Sequence, residues 1–210
     1  GTLTADTSAL ADADGLGTLS YQWKAGGVNI EGATSSTYTL TQAEVGETVT
    51  ASVSYTDGGG TFETVTSAAT DAVVNVNDDP TGSVTVTGTA TQGQTLTAAN
   101  TLADADGLGA FSYQWKAGGV DIDGATSSSY TLTQAEVGKT VTVSVSYTDG
   151  EGSLETVTSA ATDAVINVKN APTGSVTVTG TATQGQILTA ANTLADADGL
   201  GALSYQWKAG

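Results

Sequence analysis

The sequence predicts an all-β protein, a tandem array of two-sheet β-sandwich domains of about 92 residues each. Three observations carry this expectation. The chain repeats itself: YQWKAG begins at Tyr21, Tyr113 and Tyr205, and ADADGLG begins at Ala11, Ala103 and Ala195, both at a spacing of 92 residues. Apolar and polar residues alternate with period two in several short runs, the pattern of a strand with one buried face. Clusters of Gly, Asp and Ser punctuate those runs, and no helical period competes with them.

The natural unit runs from Pro80 to Ala171, because a proline after the tripeptide Asn77-Asp78-Asp79 suits the start of a domain. Residues 1–79 then form a first copy without its opening strand, and residues 172–210 form the truncated start of a third. Residues 80–118 and 172–210 differ only where Thr95 and Phe111 are replaced by Ile187 and Leu203. The third copy is expected not to close a core alone, and so to be disordered, paired with another chain, or continued in a longer protein.

Within the complete copy the elements follow in order. Val84 and Val86 alternate with Ser83, Thr85 and Thr87, and a shorter strand is expected over Thr95–Ala98. Phe111, Tyr113 and Trp115 alternate with Ser112, Gln114 and Lys116, followed by short candidates at Val120–Ile122 and Ser129–Leu132. Gln134–Gly138 reads as a turn before the clearest strand, in which Val141, Val143, Val145 and Tyr147 alternate with Thr142, Ser144 and Ser146. A long last strand is expected over Leu154–Val168.

Composition narrows the function. The 210 residues carry 22 acidic groups against 5 lysines, a net charge of -17. Nucleic acid binding needs clustered basic residues, so it is not expected, and anionic membrane surfaces would repel the chain equally. No apolar run of about 18 residues predicts membrane insertion, and the amino terminus lacks a signal-peptide pattern. The chain has neither Cys nor His, which removes thiolate metal sites, disulfides, the commonest zinc ligand and the usual general base. An enzyme is therefore not expected.

Ser112-Tyr-Gln-Trp115, Asp123-Gly-Ala-Thr-Ser-Ser-Ser-Tyr-Thr-Leu132 and Ala135-Glu-Val-Gly138 resemble bacterial immunoglobulin-like repeats. The set DADGLG, SYTDG and an NVND linker is similar to the extender repeats of large calcium-dependent, type I-secreted (RTX-type) bacterial adhesins. The resemblance spans all three copies. It implies tandem immunoglobulin-like sandwiches with Trp115 as the core Trp of strand C. The cysteine pair of antibody domains would be replaced by Ala98 or Leu96 and Val143 or Val145. It also implies an extracellular place on a bacterial cell surface, a role in adhesion and biofilms, and neighbouring repeats of the same chain as partners.

The acidic residues gather at the loops. Asp104 and Asp106 lie between strands B and C, Asp149 and Glu151 between F and G, and Asn75, Asn77, Asp78 and Asp79 in the linker. Asp12, Asp14 and Asp57 are the counterparts in the first copy, and Asp196 and Asp198 those in the third. In an immunoglobulin sandwich these loops and the amino terminus share one end, so three acidic segments are expected to converge. Carboxylates, amides and carbonyls suit a hard cation such as Ca2+, which takes six to eight oxygen ligands. Plain turn chemistry is the other reading, since Asp caps its own backbone and Gly accepts positive φ. At the second linker Lys169, Asn170 and Ala171 replace Asn77, Asp78 and Asp79, which weakens any site there.

Other motifs give less. Gly107-Leu-Gly109 lacks the Lys-Ser/Thr and helix of a phosphate loop and reads as a tight turn. Asp104 and Asp106 define no cleft for glycoside hydrolysis. Trp115 falls in the apolar alternation and reads as core rather than as a sugar platform. Two functions stand at this level: a spacer stiffened by calcium, and repeats that themselves bind a glycan or host-surface protein.

Overall fold

The computed structural model describes residues 1–209; Gly210 lies outside the described residues. The chain is all-β, with two short 3-10 turns as its helical content among the described residues. It divides into two units. Unit 1 holds Gly1–Asp79 together with the loops Asp104–Gly107 and Asp149–Ser153, and unit 2 holds Pro80–Ala103, Leu108–Thr148 and the chain from Leu154 on.

In unit 1, β1 (Thr2–Thr4) pairs with β4 (Thr37–Thr39), and a second sheet has the order β3-β2-β5-β6. Its strands are β2 (Ser20–Ala25), β3 (Val28–Asn29), β5 (Val49–Thr56) and β6 (Phe62–Thr66). Trp23, Ala33, Val49 and Ala51 form the core, with Leu3 and Tyr38 of the two-stranded sheet packed on it. The core is open on one side, where a groove is lined by Leu3, Trp23, Val49 and Val53.

In unit 2, β7 (Val84–Thr87), β8 (Thr95–Asn100) and β11 (Ser129–Thr131) form a sheet in the order β11-β8-β7. The other sheet has the order β10-β9-β12-β13, from β9 (Ser112–Ala117), β10 (Val120–Asp121), β12 (Val141–Thr148) and β13 (Leu154–Thr158). Val84 and Leu96 from the first sheet share one apolar cluster with Trp115, Val141, Val143, Val145 and Tyr147 from the second. Period-two alternation puts every second residue of β12 on this face. Each such valine contributes on the order of 1.5–3 kcal/mol by leaving water.

Trp115 is fully buried, and its indole N–H donates to Ser127 O at 2.9 Å, so the one polar atom on a large apolar ring is satisfied. Gly118 and Gly119 join β9 to β10 in a two-residue turn with φ of +57° and +82°, the double left-handed geometry that side chains resist. Before β12, Gln134–Glu136 forms a single 3-10 turn closed by a capping box: Thr133 accepts from the chain with its hydroxyl, and the Glu136 carboxylate accepts from Thr133 N–H.

Two expectations change. Phe111 precedes β9 rather than belonging to it, and packs edge-on against Tyr147 with ring centroids 5.7 Å apart. The last strand stops at Thr158 instead of running to Val168. The Ser159 and Thr162 hydroxyls accept from the Val143 and Val141 N–H groups at 3.1 and 3.0 Å, where a regular ladder would supply backbone carbonyls. The chain then changes partner, and Ile166 N–H donates to Ala90 O at 2.9 Å. Ser67 and Thr70 do the same in the first copy, accepting from Ala51 and Val49 N–H.

The third copy forms one hairpin, β14 (Val176–Thr179) with β15 (Thr189–Asn192). Its Trp207 is 51% exposed.

Candidate functional site

Each DADG loop begins with the same local turn. Asp12, Asp104 and Asp196 accept on Oδ1 from the N–H two residues on, at 2.9 Å in every copy. Their carbonyls then accept from Gly15, Gly107 and Gly199. Turn chemistry thus accounts for one oxygen of the first aspartate of each DADG. The loops between β5 and β6 and between β12 and β13 are built the same way. Asp149 Oδ1 accepts from Glu151 N–H at 2.9 Å and Ser153 N–H at 2.8 Å, and Asp57 Oδ1 accepts from Thr61 N–H at 2.7 Å.

The two loops brace each other. Gly150 N–H donates to Asp106 O at 2.9 Å, and Gly58 N–H donates to Asp14 O at 3.1 Å. A Cβ at Gly150 would lie 2.6 Å from Asp106 O, so only glycine permits this approach. In the first copy one carboxylate oxygen from each of Asp12, Asp14 and Asp57 lies within 4.8 Å of the others. Buried Tyr55 donates its hydroxyl to Asp12 Oδ2 at 2.9 Å. That hydrogen bond, followed by burial and the charges of Asp12, Glu63 and Asp57, holds the phenol pKa above its ordinary value.

The linker 75–79 joins the loops of the second copy within unit 1. Asp78 N–H donates to Asp106 Oδ2 at 2.7 Å. Asp106 and Asp149 are each only 6% exposed. Asp106 Oδ1, Asp149 Oδ2 and Asn75 Oδ1 are buried and accept no hydrogen bond. A buried carboxylate oxygen without a donor carries a desolvation penalty of several kcal/mol unless a cation or solvent compensates it. Asp149 therefore serves its loop with one oxygen and Asp106 serves the linker with one, and each leaves its other oxygen unsatisfied.

Asp78 brings its backbone N–H to Asp106, and Asp78, Asp79 and Glu151 are exposed. Asn77 and Asp104 have partners of their own. Tyr55, absent from the sequence expectations, follows directly from the SYTDG motif, whose tyrosine precedes the loop aspartate by two residues.

The third copy repeats the linker bond with different chemistry. Asn170 N–H donates to Asp198 Oδ2 at 2.7 Å, and Asn170 Nδ2 donates to Asp198 Oδ1 at 3.4 Å and to Val168 O at 3.0 Å. The Asn170 N–H is the main reason the Asp198 carboxyl sits below the usual range. The side chains of Asn167 and Asn170 and the charge of Lys169 act in the same direction, against some desolvation.

No family model, curated protein or solved structure matches this chain.

Proposed function

We propose that the chain is a run of immunoglobulin-like extender repeats from a type I-secreted bacterial adhesin, acting outside the cell as a spacer whose linkers are stiffened by calcium. Support for the array comes from the 92-residue period and the motif set SYQW, SYTDG and DADGLG. Support for a sandwich comes from the single core that β7 and β8 share with β9 and β12. No reaction step is assigned. The partners are neighbouring repeats.

One observation carries the calcium reading: Asp106 Oδ1, Asp149 Oδ2 and Asn75 Oδ1 are buried acceptors without donors. The donor set is all oxygen, two carboxylates and an amide carbonyl, which fits a hard cation and suits zinc or copper poorly. Ca2+ would supply the positive charge that two buried carboxylates need, and the linker and loop residues would hold it. Bridging Asn75 of the linker to the loops that carry Asp106 and Asp149 would restrict the backbone between successive repeats.

Titration calorimetry of the chain with CaCl2 tests this reading. The expected result is binding with Kd on the order of 10⁻⁴ to 10⁻³ M, the range of extracellular modules. The paired change Asp106→Asn and Asp149→Asn, which keeps shape but removes charge, should remove the heat due to this linker site while far-UV circular dichroism stays unchanged. Absence of binding by the unaltered chain overturns the calcium role. Small-angle scattering of the same samples should show the maximum dimension growing with calcium and shrinking with chelator.

A further inference from the structure

We infer that the two linkers differ in kind: the one at 75–79 depends on a bound cation to hold its loop, whereas the one at 167–171 carries a built-in replacement in Lys169 and Asn170. This inference rests on the calcium reading of the first linker.

The two segments occupy equivalent positions 92 residues apart, and each donates a backbone N–H to the second aspartate of DADG at 2.7 Å. The length of that bond is shared, Asp106 is buried where Asp198 is exposed, and the linker side chains differ in kind. At position 78 the side chain is a carboxylate, which only accepts hydrogen bonds. It adds negative charge to the linker and no donor, and Asp106 Oδ1 stays without a partner. At position 170 the side chain is an amide, whose NH2 reaches both Asp198 Oδ1 and Val168 O. Asp198 therefore has donors on both oxygens.

Charge changes in the same sense. Asp78 and Asp79 give the first linker two negative charges, while the second, with Lys169 and Ala171, has one positive charge. The Asn170 amide thus gives Asp198 Oδ1 a donor where Asp106 Oδ1 has none, and Lys169 adds positive charge to the same linker. A string of such repeats would contain joints that loosen when calcium is withdrawn and joints that do not.

Amide hydrogen exchange, resolved by NMR on the full chain with calcium and then with chelator, reads each linker at the donor itself. Calcium should slow exchange at the Asp78 N–H by about tenfold and change that at the Asn170 N–H by less than about twofold. If both amides respond, the inference fails and the calcium reading stands. If neither responds, both fail.

A linker exchange places the second chemistry beside a complete pair of loops. The variant Asn77→Lys, Asp78→Asn, Asp79→Ala should protect the residue-78 amide without calcium and weaken calcium binding at least about tenfold. The reverse variant Lys169→Asn, Asn170→Asp, Ala171→Asp should lose protection at residue 170 in chelator. Continued calcium dependence in the first variant, or unchanged protection in the second, overturns the inference.

Discussion

Residues 80–117 and 172–209 are nearly the same peptide in two surroundings, with differences only at Thr95/Ile187 and Phe111/Leu203. Both form the first hairpin in the same register, Val84 opposite Asn100 and Val176 opposite Asn192. Both form the Asx turn of the DADG loop. They part where a distant partner is needed. β8 begins at Thr95 because Thr95 and Leu96 pair with β11, whereas β15 begins two positions later, at Thr189. The segment that becomes β9 beside β12 is not a strand in the third copy. Trp115 is 0% exposed and Trp207 is 51% exposed. Hairpins and turns are thus local properties of this peptide, while the core is a property of the strands that follow it.

The largest test of this contrast is removal of the two tryptophans. Trp115→Ala should destabilise the fold by about 3–5 kcal/mol, and Trp207→Ala by less than about 0.5 kcal/mol. Urea denaturation followed by far-UV circular dichroism measures both, and comparable losses would break the comparison. Ser159→Ala sharpens it by testing whether β12 needs hydroxyl acceptors at its far edge. Leaving Val143 N–H buried without a partner should destabilise by about 1–3 kcal/mol in the same assay. Thr133→Ala opens the capping box before β12 and should destabilise by about 1 kcal/mol, read as a lower urea midpoint.

The smallest expected effect is a pH dependence in the first copy. Burial pushes the Glu44 pKa up, but hydrogen bonds from Thr41 N–H, the Thr41 hydroxyl and Tyr38 OH outweigh it, so the net shift is downward. A depressed folded pKa gives stability that is present above the ordinary carboxylate value of 4.5 and is lost as pH falls through the folded value. Glu44→Gln should therefore narrow the stability gap to the unaltered chain as pH falls below about 4.5.

Much of the fold is legible in the sequence because its signals are local or periodic. The alternation through Val141, Val143, Val145 and Tyr147 predicts β12, and the repeat period carries the strand pattern to the other copies. The last strand ends earlier than its pattern suggests because Ile166 and Val168 continue the apolar alternation without continuing the ladder. What ends β13 is a pair of hydroxyls meeting backbone N–H groups across the sheet, and no sequence spacing reports that. At the site, residue types and loops are readable, and the division of labour within each carboxylate is not. Asp149 serves its turn with one oxygen and leaves the other unpartnered, a distinction that depends on which N–H groups the folded loop turns toward it.

The outward faces of the sheets carry mostly hydroxyl pairs, beside an ion pair between Lys116 and Asp121 at 3.2 Å. Ser144 meets Thr158 at 2.9 Å, Ser146 meets Thr156 at 2.9 Å, Ser52 meets Thr66 at 3.0 Å and Thr95 meets Thr131 at 2.9 Å. Neutral rungs of this kind are indifferent to ionic strength, whereas lysine–glutamate rungs are screened within about 8–10 Å in physiological salt. Dissolved monovalent salt then acts chiefly on the net charge of -17, by easing self-repulsion. Brine would tighten this surface where it loosens a charge-paired one.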